Sequence, residues 1–297
     1  MAIELGANQY GKAENRVVRV IRDTERHQIR DLNVSTSLRG EFADAHVSGE
    51  QGAVLPTDTQ KNTAFAYAKD HATGAIEDYA LALAHHFVAA VASVSGAQVA
   101  VEEYAWRRIG VDGRGHDHAF VRSGESVRDT IVTAESSDTW VISGVSDLTI
   151  AKTTGSEFHG FLTDEYTTLA ETDDRILATS LVARWRYAHT DVDWDATYAS
   201  VLDTLLETFA TKHSLALQHS LYAMGQAVLE RHPAVAEIRF SAPNKHHFEV
   251  DLDHFGVEND GEVFIAADRP YGLIEATVLR DDAPDPGSAW HAVPGFC

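Results

Sequence analysis

Apolar and polar residues alternate along much of this chain, and two long stretches replace the alternation with a helical period. NRVVRVIRD and HQIRDLNVSTSLRGEF repeat every second residue, as strands with one buried face do, around a charged turn at residues 24–26. DTQKNTAFAYAK predicts a short helix, and AIEDYALALAHHFVAAVASV a longer one that Gly96 ends. Strand patterns return in QVAVEEYAWRRIGV and HAFVRS, with VRDTIVTAES after them. The order is β, β, α, α, β, β.

The second half repeats that order without repeating residues. TWVISGVSDLTIAKT and ATSLVARWRYAHTDVDW read as strands, and DATYASVLDTLLETFATKH and SLALQHSLYAMGQAVLERH as helices, the latter stopped by Pro233. Strands return in VAEIRFSAP and KHHFEVDL, with EVFIAADR and GLIEATVLR beyond. Two ββααββ units predict an α+β protein of two antiparallel sheets, each with helices on one face. The expected domains are residues 10–136 and 137–280, followed by an irregular tail over 281–297 rich in Asp, Pro and Gly.

Within PNKHHFEVDL, Pro243 and Asn244 suit a turn. Beyond it His246, Phe248, Val250 and Leu252 share one face, and His247, Glu249 and Asp251 the other. Adjacent strand side chains diverge, so His246 and His247 cannot chelate one ion. A histidine on an apolar face is more often a satisfied core group than a catalyst.

Composition narrows the field. At 297 residues and 44% hydrophobic the chain can bury a sizeable core, and no apolar run is long enough to span a membrane. No secretory leader is visible at MAIELGANQYGK. The single cysteine, Cys297, permits neither an internal disulfide nor a cysteine zinc site, which fits a reducing cytoplasm. With 45 Asp and Glu against 24 Lys and Arg, the net charge is −21, spread over the whole length. Such a chain repels nucleic acid and suits a protein kept soluble in concentrated salt.

Several polar groups stand where a core does not need them. Lys12 precedes the first strand in YGKAEN, and Thr57 opens a helix in LPTDTQKN, where Gln60 three residues on completes a capping-box spacing. The irregular stretch TTGSEFHGFLTDEYTTLAETDDRIL carries Phe158, Phe161, Tyr166 and Arg175. A connection of that length is often functional, although Arg175 has Asp173 and Asp174 at hand for a weak surface pairing. His116 and His118 share a strand face and are the one histidine pair spaced to chelate, while His85 and His86 diverge on a helix.

YGKAENRVVRV, TDTQKNTAFAYAK, GSEFHGFLTDEYTTLAETDDRIL and PNKHHFEVDL, in this order and spacing, resemble the urate oxidase (uricase) family. The resemblance runs from about Tyr10 to Gly272. It implies the tunnelling fold, in which four copies of two tandem ββααββ domains close their sheets into a barrel, and an enzyme with no metal and no organic cofactor. The implied substrates are urate and dioxygen, and the implied products 5-hydroxyisourate and hydrogen peroxide.

Carried across motif by motif, the resemblance implies that Phe158 stacks on the purine and that Arg175 and Gln218 grip its edges, with the Leu217 backbone assisting. A planar guanidinium suits a delocalised anion, and an amide offers the donor and acceptor a purine edge requires. Asn244 and Thr57 would hold water or dioxygen, the Asp58 backbone would touch urate, and Lys12, Thr57 and His246 would pass protons. His247 would then be structural. In the family Lys12, Thr57 and Asp58 come from a neighbouring subunit. The PGFC ending in place of Ser-Lys-Leu points to a prokaryotic cytoplasm. The competing readings are a zinc-dependent pterin enzyme on the same fold and a non-catalytic purine-binding scaffold.

Overall fold

The computed structural model describes residues 2–294, with Asp268 described by its backbone alone. Cys297 and most of the PGFC ending lie outside the described residues. Two compact units emerge: Met1–Gly144 with Arg186–Ala196 and Pro284–His291, and Val145–Trp185 with Thr197–Ala283 and Ala292–Cys297.

In the first unit the long strands β1 (Tyr10–Ile21) and β2 (Gln28–Gly40) lead into helices α1 (Ala43–Val47), α2 (Thr57–His71) and α3 (Ile76–Ala90). Strands β3 (Val94–Glu103), β4 (Trp106–Val111), β5 (Arg114–Arg122) and β6 (Val127–Glu135) follow, and β7 (Thr139–Lys152) begins here. The order β1-β2-β3-β6-β7 forms the sheet, while β4 and β5 pair as a separate hairpin. Helix α3 buries Ile76, Tyr79, Ala80, Leu83, Ala84 and Phe87, one continuous helical stripe, against β3 and β6. Its Tyr79 hydroxyl donates to the Ala64 carbonyl of α2 at 2.7 Å, tying the two helices together.

In the second unit the order runs from β7 through β8 (Leu177–Tyr187) and β9 (Val235–Glu249) to β10 (Phe264–Leu279). Helices α4 (Trp194–Thr211) and α5 (Leu217–Arg231) supply its helical layer. Helix α5 buries Leu217, Leu221, Met224, Val228 and Leu229. A Cβ at Gly225 would stand 2.6 Å from Val278 and 3.2 Å from Phe240, so this glycine is what lets the helix approach β9 and β10 so closely.

The structure departs from the sequence pattern in four places. Helix α3 ends at Ala90 rather than Gly96, because Val91 is already extended (φ −117°, ψ 103°) and the β-branched Val94 opens β3. QVAVEEYAWRRIGV divides into β3 and β4. The β4–β5 hairpin stands outside the main sheet and is held to the β1–β2 turn by Arg26, which donates to the Gly115 carbonyl at 3.0 Å, and by Arg108, which donates to the His27 carbonyl. Pro243 and Asn244 do not turn the chain. Strand β9 runs straight through them, with Pro243 opposite Leu273 and Asn244 opposite Gly272. The extra residues fall on β10 instead, where the register shifts between Ala267 and Gly272 around the cis Arg269–Pro270 bond. Residues 281–294 contain neither helix nor strand.

Candidate functional site

The sequence-predicted residues divide between the units: Lys12, Thr57 and Asp58 lie in the first, and Phe158, Arg175, Leu217, Gln218, Asn244 and His246 in the second, where among the described residues no hydrogen bond or ring contact joins Asn244 or His246 to Phe158 or Arg175. In the first, the backbone N–H of Lys12 donates to the Thr36 hydroxyl at 3.3 Å, and that hydroxyl donates to Gln60 Oε1 at 2.8 Å. Gln60 is fully buried, one helical turn beyond Thr57, and its amide donates to the Leu55 carbonyl at 3.4 Å. A buried polar chain of this kind fixes the strand end against the helix start, because leaving any of its members unpaired is costly. Lys12 lies within β1, opposite Thr36, rather than before the first strand, and the register shifts directly after it, where Glu14 has φ 56° and its N–H donates to the Ser35 hydroxyl at 2.9 Å.

Thr57 does not cap α2. The cap position is Pro56 (φ −54°, ψ 141°), which makes no side-chain cap, and Thr57 is the first helical residue. Proline lacks the side-chain oxygen of a cap, and the spacing to Gln60 serves the buried chain instead. Among the described residues the Thr57 hydroxyl has no hydrogen-bond partner and the Lys12 ammonium no ion pair, although both side chains are half-buried. The Asp58 carboxylate is held below its ordinary pKa, chiefly by the hydrogen bond and charge of Lys61 and to a lesser degree by the charge of Lys12.

The second cluster forms where residues 153–176 meet the start of α5. Ser156 bridges Ser214 in parallel, with the Glu157 N–H donating to the Ser214 carbonyl at 2.9 Å and the Ser214 N–H to the Gly155 carbonyl at 2.9 Å. Phe158 bridges Thr172, and the Arg175 N–H donates to the Ser156 carbonyl at 2.8 Å. The stretch that looks irregular in sequence is thus a short ladder, closed by Asp174, which accepts from the Thr154 hydroxyl at 2.5 Å and the Ser156 N–H at 3.3 Å.

On this ladder the Arg175 guanidinium carbon stands 5.1 Å from the centre of the Phe158 ring. Asp174 is taken by Thr154 and Ser156, and Asp173 by His159 at 2.9 Å, so neither neutralises Arg175. The Arg175 Nε is buried without a partner, and burial lowers the pKa of its guanidinium. A half-buried cation that no carboxylate neutralises, set over an aromatic ring, suits a flat anion.

Leu217 and Gln218 begin α5, after the extended Ala216 (φ −169°, ψ 165°), with no side chain capping the helix. Leu217 is buried and Gln218 exposed, so Leu217 can offer only its backbone. The contacts of Gly225 with Phe240 and Val278, and of Arg280 with the Val235 and His232 carbonyls, set α5 antiparallel to β9. Seven residues of helix from Gly225 back to Gln218 span about 10 Å. Four residues of strand from Phe240 to Asn244 span about 13 Å. The helix start and Asn244 therefore lie toward the same end of the unit.

Even-numbered residues of β9 face the helices, with Ile238, Phe240 and Ala242 fully buried. Asn244 and His246 continue that face past the helical layer as half-buried residues, and Phe248 is 54% exposed. The His246 and Phe248 rings stack 5.8 Å apart at 22°. The face that holds His246 is thus apolar, but at this end it is open rather than packed. His247 lies on the opposite face, its Nδ1 3.2 Å from the Lys245 carbonyl.

His116 and His118 stand edge to face with ring centres 4.5 Å apart on β5. Among the described residues no three His, Cys, Asp or Glu converge as a metal site would require, and no helix is long and apolar enough to cross a membrane. Two contributors were not singled out for a role from sequence. Gln60 was visible as the fourth position of the capping-box spacing, and Phe161 stacks on Phe158, a contact that the F-x-G-F spacing could have suggested.

The uricase family model matches residues 8–133 and 141–275. This chain belongs to the uricase family. It is 51% identical over 295 residues to the uricase of Arthrobacter globiformis, covering 99% of this chain and 96% of that one. It is 36% identical over 276 residues to a Dictyostelium discoideum uricase, with 92% and 96% covered. The crystal structure of the Arthrobacter globiformis uricase superposes with a TM-score of 0.93 over 98% of this chain and 99% of the other. The uricase relationship thus spans both units and both clusters.

Proposed function

We propose that this chain oxidises urate with dioxygen and water to 5-hydroxyisourate and hydrogen peroxide, the first step of urate degradation. Urate loses two electrons and water adds its oxygen at C5, while dioxygen takes the two electrons and two protons to leave as peroxide. The substrate is itself electron-rich, so the protein's task is to orient it and move protons. The observation that carries this reading is Arg175: half-buried, its Nε unpartnered, no carboxylate on it, and 5.1 Å from the Phe158 ring.

In this reading urate stacks on Phe158 while Arg175, Gln218 and the Leu217 backbone hold its edges. Asn244 and Thr57 hold dioxygen or water, and the Asp58 backbone touches the purine. Lys12, Thr57 and His246 pass the protons. The open hydroxyl of Thr57 and the absence of an ion pair on Lys12 among the described residues support that role. Lys12, Thr57 and Asp58 come from a neighbouring subunit. Residues 10–136 and 137–280 act as tandem tunnelling-fold domains whose sheets close into a barrel in a homotetramer, with 281–297 as a tail. Exposed apolar residues on β10, Ile265, Leu273 and Leu279 among them, suit such closure. The enzyme needs no metal or cofactor and works in a salt-rich prokaryotic cytoplasm.

The test is a double substitution cycle between Arg175→Gln and Thr57→Ala, followed by urate absorbance. Loss of urate affinity in the first and of turnover in the second supports the assignment. Undiminished turnover in Thr57→Ala removes the relay.

A further inference from the structure

We propose that Phe161 is a positioning residue, which backs the Phe158 ring and fixes the plane on which the purine lies. This rests on the reading of Phe158 as the stacking residue. The device is built from consecutive residues. Phe158 is held in a two-way bridge with Thr172, at 2.9 Å for its own N–H and 3.2 Å for that of Thr172. His159, next along, is pinned on the ladder's other side, its Nε2 2.9 Å from Asp173 and its Nδ1 3.5 Å from Glu171.

Gly160 then takes the left-handed conformation, φ 67°, and its N–H donates to Glu171 Oε1 at 2.8 Å. The reversal brings Phe161 back onto Phe158, with ring centres 4.9 Å apart and planes only 14° from parallel. A residue with a Cβ is strained in that conformation, so the turn and the stack depend on the same glycine.

Phe161 thus backs one face of Phe158, and a flat ligand must lie on the ring alongside the Arg175 guanidinium, whose carbon stands 5.1 Å from the ring centre. With its tilt set before a ligand arrives, the platform spares binding the cost of ordering it. Planarity is also what distinguishes substrate from product: urate is flat, whereas 5-hydroxyisourate has a tetrahedral C5 and cannot keep its whole ring at contact distance. A fixed platform therefore favours urate over the product that must leave.

The experiment uses Phe161→Leu in the full-length protein, with urate kinetics and calorimetric titration of xanthine, a planar purine that lacks the 8-oxo group. An aromatic stack of this kind predicts KM for urate and Kd for xanthine raised about 3- to 10-fold with kcat within about twofold. Phe161→Tyr should restore both constants. Gly160→Ala, which disturbs the turn and leaves both rings, should shift both in the same direction and keeps the test open if Phe161→Leu does not fold. Unchanged KM and Kd in folded Phe161→Leu would overturn the proposal, and so would a lowered melting temperature with unchanged constants. Should the unaltered protein bind xanthine yet leave urate intact, the oxidase reading fails while the Kd comparison still decides the role of Phe161.

Discussion

The two clusters are prepared in different ways. Around Lys12 and Thr57 the order lies in the backbone: the Thr36–Gln60 chain fixes where strand and helix begin, while the reactive side chains themselves have no partners among the described residues. Around Phe158 and Arg175 the side chains themselves are arranged, stacked on Phe161 and set beside each other within one unit. The second cluster resembles a preformed receptor, and the first a pair of chemical groups held out for something else to complete. Recognition and proton transfer should therefore separate under mutation.

The largest separation is expected from Lys12→Ala. Removing the group proposed to transfer protons should lower kcat by about 100-fold or more, while calorimetry gives xanthine affinity within about threefold. Equal losses in both would mean that the two clusters are not divided by role. Arg175→Gln is the reciprocal case. Charge-assisted hydrogen bonds are worth about 1.5–3 kcal/mol, so KM for urate and Kd for xanthine should rise about 10- to 100-fold. An Arg175→Gln protein that binds xanthine normally would remove the receptor from this account.

Gln60→Leu sharpens the backbone side of the comparison. It leaves the Thr36 hydroxyl, only 4% exposed as a residue, without its acceptor. The cost should be about 1–3 kcal/mol in denaturant unfolding, with turnover reduced and xanthine affinity retained. Salt should produce the smallest effect. A net charge of −21 opposes an anionic substrate, and screening that field should raise kcat/KM a few-fold as salt is added. A flat or falling profile would count against the salt-adapted reading.

Much of the fold was legible because the hydrophobic period changes cleanly between strands and helices, as in NRVVRVIRD against AIEDYALALAHH. Misreadings occurred where local signals conflict with longer-range pairing. Pro243–Asn244 carries turn chemistry, yet its pairing with Gly272 and Leu273 holds it in β9. The overrun of α3 to Gly96 followed apolar residues that serve helix and strand alike. For Thr57, spacing suggested a cap, and only the backbone angles of Pro56 show that the cap position falls one residue earlier and that Thr57 is the first helical residue. Arg175 likewise adjoins two aspartates in sequence, and only the ladder reveals that both are bound elsewhere. What the sequence could not convey was occupancy: which polar groups already have partners, and which are left for a ligand.

The central claim is urate oxidation by the protein's own side chains. It is tested most directly by giving chelator-treated protein urate in concentrated salt and following urate absorbance, oxygen uptake and peroxide together. The account predicts one oxygen consumed and one peroxide formed per urate, with Lys12→Ala suppressing all three signals. Folded, oligomeric protein that binds xanthine but consumes neither urate nor oxygen would contradict it.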